Sequence, residues 1–174
     1  ICIHRPVDAS GKTVSVGEYI VPILQENLQE RENITLYLNT KATEILMDNG
    51  AAVGIVAEGA DGGKITVNAK AVIDAAGGFG ANQDKVVSYR PDLEGFTSTN
   101  SAGAQGQGVD MAVAIGADTV DMEQIQIHPT VEFNTSALIT EGLRGDGAIL
   151  VNAEGYRFYD EVSTRDKVSA AEIE

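Results

Sequence analysis

The sequence predicts an α+β fold that contains an antiparallel β-meander. Three short apolar runs, 42–48, 52–58 and 64–68, are separated by Asn49-Gly50 and by an Asp-Gly-Gly turn. Asn-Gly and Asp-Gly are strong hairpin signals, so these runs predict three consecutive antiparallel strands. Other segments repeat apolar residues at helical spacing. Helices and strands that occupy separate parts of a chain are typical of the α+β class.

The remaining elements are predicted in chain order. We expect a loop over 1–16, a helix over 17–31 with Pro22 in its first turn, strands over 34–38 and 70–74, and a short helix over 83–89. A helix ending at Gly116 and a strand over 148–152 with a tight hairpin turn after it complete the prediction.

Composition limits the possible partners. The chain carries 12 Lys and Arg against 26 Asp and Glu, a net charge of −14, which argues against binding to nucleic acid or to an anionic membrane surface. Apolar runs are too short for insertion into a membrane. The single cysteine, Cys2, cannot form an internal disulfide, and the Cys and His spacing predicts no metal site.

The ends of the sequence indicate a part of a longer protein. It begins at Ile1 without an initiator Met, and its last residues, Ala-Glu-Ile-Glu, read as the opening of a helix. We therefore expect further sequence on both sides.

Two glycine-rich segments are candidate ligand loops. Ala75-Ala76-Gly77-Gly78 follows a predicted strand, and Gly103, Gly106 and Gly108 precede a predicted helix. Glycine lets a backbone approach a ligand closely, and a helix N-terminus favours an anion such as phosphate. Strand-to-helix turns also use glycine without any ligand, so both interpretations stay open. No dinucleotide fingerprint stands in the required strand–turn–helix context.

Cations concentrate in the C-terminal part of this anionic chain. Gln-Ile-His-Pro-Thr (126–130), Thr-Glu-Gly-Leu-Arg-Gly (140–145) and Ser-Thr-Arg-Asp-Lys (163–167) hold one histidine and two arginines. Such a local excess of cations predicts a pocket for a small anion.

The order of these motifs resembles the fumarate reductase/succinate dehydrogenase flavoprotein family, and it looks most like soluble fumarate reductases of the flavocytochrome c type. His-Arg-Pro (4–6) is similar to a segment of that branch. The resemblance implies that 1–125 is a partial FAD-binding domain without its N-terminal dinucleotide fingerprint. It implies that 126–174 begins an α+β capping domain, and that a second substrate-binding His and Arg lie outside this chain.

The resemblance also implies the site residues. Arg165 matches the proton donor, with Glu141 and Arg144 resupplying the proton, and His128, Thr140 and Glu141 match the substrate site. Alternatives remain: His128 could only order the His-Pro turn, and Arg165 could only clamp a carboxylate. Glu141 and Arg144 could form a plain surface ion pair.

FAD is the implied cofactor of the full-length protein. Its contacts would be Ala42, Ala76, Gly77, Gly78 and Gln107. Gln107 stands where the family typically has Asp, and Asp74 replaces an aliphatic residue in a strand where an unpartnered carboxylate would be costly.

The implied reaction is the FAD-dependent reduction of fumarate to succinate, with electrons from a donor module or protein outside this chain. A relative acting on another unsaturated acid such as urocanate, or an L-aspartate oxidase, is the second hypothesis. The third is that the isolated chain is a non-catalytic domain that retains no flavin.

Overall fold

The computed structural model describes residues 5–174, so Cys2 and His4 lie outside the described residues. The helices are α1 (Val16–Gln29), α2 (Gln83–Tyr89), α3 (Gln107–Ala114), α4 (Glu141–Gly145) and α5 (Arg165–Ile173). The strands are β1 (Lys41–Asp48), β2 (Ala51–Glu58), β3 (Lys64–Asn68), β4 (Val131–Glu132) and β5 (Ala137–Leu138). This mixture of helices and antiparallel sheets agrees with the predicted α+β class.

The predicted meander is confirmed. Strands β1, β2 and β3 form one antiparallel sheet in that order, with Ile45 opposite Ile55. The β1–β2 turn has φ of 49° at Asn49 and 80° at Gly50, the left-handed pair that a tight hairpin needs. Ile45 is buried, and α3 packs against β1. The meander therefore supports α3 through β1.

Helix α1 begins directly after its N-cap residue, Ser15. The Oγ of Ser15 accepts a hydrogen bond from the Glu18 amide at 3.2 Å, which starts α1 at Val16. Pro22 consequently lies in the second turn of α1, so the prediction that it lies in the first turn is wrong. The predicted helices over 83–89 and before Gly116 are confirmed, and Gly116 ends α3 with φ of 94°.

Two predicted strands are wrong. Residues 34–38 and 70–74 form no strand, and the Ile73 side chain is 90% exposed. A strand exists only when another strand takes up its backbone hydrogen bonds, and residues 5–174 supply none to either segment. The third predicted strand, 148–152, is reduced to one antiparallel bridge between Val151 and Arg157. Its hairpin turn is confirmed, since the Asn152 amide donates to the Tyr156 carbonyl at 2.9 Å.

The C-terminal part places two helix starts side by side. Thr140 occupies the N-cap of α4, and Thr164 occupies the N-cap of α5. Val168 of α5 is fully buried and anchors that helix. Within the described part of the chain, no helix has the length and apolar character needed to cross a membrane.

Candidate active site

The carboxylate of Glu141 links the two other charged groups of the candidate site. Its Oε1 accepts a hydrogen bond from Arg165 Nη2, and its Oε2 lies 3.1 Å from His128 Nε2. The Arg165 guanidinium, the backbone amide of Glu141 and His128 together lower the pKa of Glu141 to about 2. Glu141 is therefore an anion at neutral pH, and it places a negative charge between two potential substrate ligands.

The hydrogen-bond partners of His128 define its tautomer. The backbone amide of Thr130 donates to Nδ1 at 3.2 Å, so Nδ1 is an acceptor and carries no proton in the neutral ring. Nε2 then carries the proton and donates it to Glu141. The His128 side chain is only 10% exposed, so the ring is held firmly by both contacts.

Gln126 is a site residue to which sequence reasoning gave no role. Arg165 Nη1 donates to its Oε1 at 2.7 Å, which makes Gln126 the second partner of the guanidinium. Gln126 lies two residues before His128. In an extended segment that spacing puts two side chains on the same face, which was the available signal.

Thr140 has a structural contact of its own. Its Oγ1 accepts a hydrogen bond from the Gly142 amide at 3.3 Å and caps α4. The hydroxyl proton is not used by this bond, so a donor remains for a substrate carboxylate. Its predicted substrate role is compatible with the cap.

Arg144 does not form the ion pair with Glu141 that was one alternative for these residues. Arg144 is buried, and its Nη1 donates to the backbone carbonyl of Glu161 at 2.8 Å. Glu141 instead turns its carboxylate to Arg165 and His128. The short helix α4 thus directs its anion and its cation to different neighbours.

Two cavities meet at this cluster. A larger one of about 380 Å³ has a mostly apolar wall and is lined by His128, Phe96, Ile127, Phe133, Ser169 and Glu172, among others. A smaller one of about 190 Å³ is lined by Glu141, Arg144, Gly145, Arg165 and the segment 161–164. Because Glu141 lies in the second cavity and contacts His128 in the first, it connects them.

Two of the predicted cofactor segments meet at the start of α3. The Gly106 amide donates to the Gly78 carbonyl at 3.1 Å, and Gln107 is the first residue of α3. Gly77 has φ of 81°, and a Cβ on either Gly77 or Gly78 would meet no atom within 4 Å. These residues present an open, side-chain-free face. Ala42 lies on β1, the strand against which α3 packs.

The Asp74 carboxylate lies against the first turn of α3, beside Gly108. A Cβ on Gly108 would lie 2.3 and 2.4 Å from the two carboxylate oxygens of Asp74, and one of them, Oδ1, accepts the Ala76 amide at 3.0 Å. An acidic group already sits where a helix N-terminus would attract phosphate. This end of α3 is thus better suited to an uncharged part of a ligand than to phosphate. Across residues 5–174, no three His, Cys, Asp or Glu side chains lie close enough to hold a metal ion together.

Comparison with known proteins defines the class. The model of the FAD binding domain family matches residues 1–174, and the chain belongs to that family. This confirms the predicted cofactor, FAD, for the full-length protein.

The individual relatives belong to a narrower class of proteins than the family model describes. The chain is 49% identical over 98% of its length to an NADH:fumarate oxidoreductase of Klebsiella pneumoniae, and 46% identical over 97% to a fumarate reductase (cytochrome) of Shewanella frigidimarina. It spans 18% and 29% of the length of these two relatives. A urocanate reductase of Eggerthella lenta is 41% identical over 89% of the chain and is covered over 26% of its own length.

A solved structure supports the same assignment. The open conformation of a flavocytochrome c3 fumarate reductase superposes with a TM-score of 0.78 at 38% identity, over 95% of this chain and 29% of that one. The predicted resemblance to fumarate reductase flavoproteins is confirmed.

Proposed function

We propose that the full-length protein reduces fumarate to succinate, and that this chain supplies the proton-delivery side of its active site. The contact of Glu141 with both Arg165 and His128 carries the proposal. Glu141 thereby links Arg165, a cation that can give up a proton, with the neutral imidazole of His128, which can hold a carboxylate through a hydrogen bond. The fumarate reductases among the relatives support the choice of substrate.

The residues of this chain divide the work. A substrate carboxylate takes the place of Glu141 Oε2 on His128 Nε2–H and accepts a second hydrogen bond from the Thr140 hydroxyl, and Arg165 protonates one alkene carbon. FAD, bound and reduced, would supply the hydride for the other carbon, so that hydride and proton together give the saturated acid. Glu141 and Arg144, which line the smaller cavity together with Arg165, return a proton from solvent to Arg165. Closure of the segment 126–174 over the flavin-binding part excludes water.

The open face at Gly77 and Gly78, next to Ala76, fits an uncharged part of FAD. A planar ring can approach a backbone that has no Cβ in the way, and Gln107 offers amide hydrogen bonds beside it. We assign 1–125 to the flavin-binding domain and 126–174 to the start of the capping domain. Electrons reach the flavin from a module or protein outside these residues. The isolated 174 residues retain no flavin, and a flavin absorption band in that preparation would contradict this.

A test uses the full-length protein with its FAD, an artificial reductant and fumarate. Arg165→Ala should lower kcat by orders of magnitude while FAD stays bound. Arg90→Ala is the matched control, because Arg90 pairs with Asp92 and lines neither cavity. Near-normal turnover of Arg165→Ala would contradict the role of Arg165 as the proton donor.

Urocanate reduction is the second candidate, because one relative carries that activity in its name. The imidazole of His128 favours a dicarboxylate, since it can donate to a second carboxylate that urocanate lacks. A panel of fumarate, urocanate and L-aspartate on the wild-type protein decides among the reductase and oxidase alternatives.

A further inference from the structure

Arg144 is a buried cation whose position depends on one contact. It is 6% exposed, and among residues 5–174 its one hydrogen bond runs from Nη1 to the Glu161 carbonyl at 2.8 Å. Its Nε has no hydrogen-bond partner among residues 5–174. Burying a guanidinium is costly unless its donors are satisfied. The place of Arg144 in the smaller cavity therefore depends on where Glu161 holds its carbonyl.

Glu161 is in turn fixed by Arg157. The Glu161 carboxylate is buried, and its Oε2 accepts a hydrogen bond from Arg157 Nε at 3.0 Å. Its Oε1 lies 3.0 Å from Arg157 Nη2, which completes the ion pair. Contact of both carboxylate oxygens with one planar guanidinium restricts the orientation of the carboxylate as well as its distance. The Glu161 backbone amide, with help from Arg157, lowers the pKa of this carboxyl, so the pair is ionic at neutral pH.

The hairpin before Arg157 anchors the pair to the fold. Arg157 forms a β-bridge with Val151, and the Asn152 side chain accepts the Tyr156 amide at 2.9 Å. The segment 161–164 also forms a wall of the smaller cavity and ends at the N-cap of α5, next to Arg165. A displacement of Glu161 would therefore move both arginines of the proposed proton path.

We infer that the Arg157–Glu161 ion pair positions Arg144, through the Glu161 carbonyl, for proton delivery to Arg165. This rests on the proposed function. Neither residue touches the reacting atoms. Without Arg157 the buried Glu161 carboxylate loses its counter-charge and turns toward water, which displaces its carbonyl from Arg144.

The experiment uses full-length protein with bound FAD and compares Arg157→Met, Arg157→Lys and Glu161→Gln. Arg157→Met keeps most of the aliphatic part of the side chain and removes the guanidinium. Its kcat for fumarate should fall roughly 10- to 100-fold, as a displacement of about 1 Å does elsewhere. KM and FAD content should stay near wild type, and the solvent deuterium isotope effect on kcat should rise. Arg157→Lys keeps the positive charge but lacks the planar guanidinium, so its kcat should lie between those of Arg157→Met and the wild type.

A matched control separates positioning from general damage. Arg90→Met removes a guanidinium that also contacts both oxygens of a carboxylate, that of Asp92, away from both cavities. It should leave kcat and the isotope effect unchanged. In an Arg144→Lys background, Arg157→Met should lower kcat by a much smaller factor than it does in wild type, because the effects of residues that act through one another are non-additive.

Two results would overturn the inference. One is an Arg157→Met protein whose kcat and isotope effect match those of Arg90→Met. The other is a kcat loss that tracks loss of FAD and is equally large in the Arg144→Lys background. If Arg157→Met yields no holoprotein, the same readouts on Arg157→Lys and Glu161→Gln decide. Failure of the proposed function is distinct, because the wild-type protein itself would then not reduce fumarate.

Discussion

The guanidinium of Arg165 is bonded to the carboxylate of Glu141, and each of these residues is the first of its helix. A carboxylate is favoured at a helix N-terminus, whereas a cation there is opposed by the helix dipole. The anion at the start of α4 therefore compensates the cation at the start of α5. The pair ties the two helices together and holds the proposed proton donor at the edge of the smaller cavity.

Stability should respond to pH through Glu141. Its pKa is lowered from 4.5 to about 2, chiefly by Arg165, so its ionised form stabilises the fold. A lowered pKa gives stability that is complete above the unfolded value and is lost as the pH falls toward the folded one. The difference in Tm between wild type and Glu141→Gln should be constant at neutral pH and shrink between pH 4.5 and about 2.

A control for this measurement is Glu154→Gln in the full-length protein. Glu154 is exposed in the hairpin turn and makes no ion pair within residues 5–174. A Tm difference for Glu141→Gln that keeps its size down to about pH 2 would show that Arg165 does not hold the carboxylate as described.

Substitutions at Thr140 should separate capping from substrate binding. Asparagine is a good N-cap but has no hydroxyl, so Thr140→Asn should keep α4 stable and raise the KM for fumarate. Thr140→Ala loses both functions and should also cost about 0.5–2 kcal/mol of stability. Thr140→Ser keeps the hydroxyl and should resemble wild type. Fumarate kinetics and thermal unfolding measure the two effects, and an unchanged KM in Thr140→Asn would remove Thr140 from the substrate site.

Local chemistry explains which elements the sequence could predict. The meander was predictable because Asn49-Gly50 determines its own turn, whatever lies around it. The segments 34–38 and 70–74 carry the same β-favouring residues but have no partner strand among the described residues. β-propensity describes a surface suited to pairing, and the pairing itself depends on other parts of the chain.

The candidate site was predictable to a similar degree. The resemblance selected His128, Glu141 and Arg165, and the structure brings these three together. The contacts of Arg144 with Glu161, and of Arg165 with Gln126, join residues 17 and 39 positions apart. No local pattern encodes such distances, because they depend on how the two short helices are packed.

The glycine pair at 77 and 78 should distinguish backbone strain from cofactor contact. Gly77 has φ of 81°, so Gly77→Ala strains the backbone by about 1 kcal/mol whether or not FAD is present. Gly78 has an ordinary φ and open space around it, so Gly78→Ala should leave the stability of the apoprotein unchanged. If FAD lies against this face, the new methyl group should weaken FAD binding. Flavin fluorescence on titration of the apoprotein checks this, and wild-type affinity in Gly78→Ala would move the cofactor elsewhere.

The second partner of Arg165 should affect catalysis more than binding. Gln126→Leu removes the acceptor of Arg165 Nη1, and the guanidinium is then held by Glu141 alone. Because Arg165 is more than a third exposed, water replaces part of the lost bond. We expect kcat to fall about 10-fold, with a smaller change in KM.

Two further variants sharpen this prediction. Gln124→Leu makes the same substitution at an exposed glutamine two residues earlier and should leave kcat unchanged. Gln126→Glu gives Arg165 a second carboxylate, which stabilises its protonated form and should also lower kcat, although the guanidinium is held at least as firmly. Steady-state kinetics with fumarate compare the three. Equal kcat values for Gln126→Leu and Gln124→Leu would mean that Glu141 alone orients the guanidinium. A Gln126→Glu protein faster than wild type would argue that Arg165 binds substrate and gives up no proton.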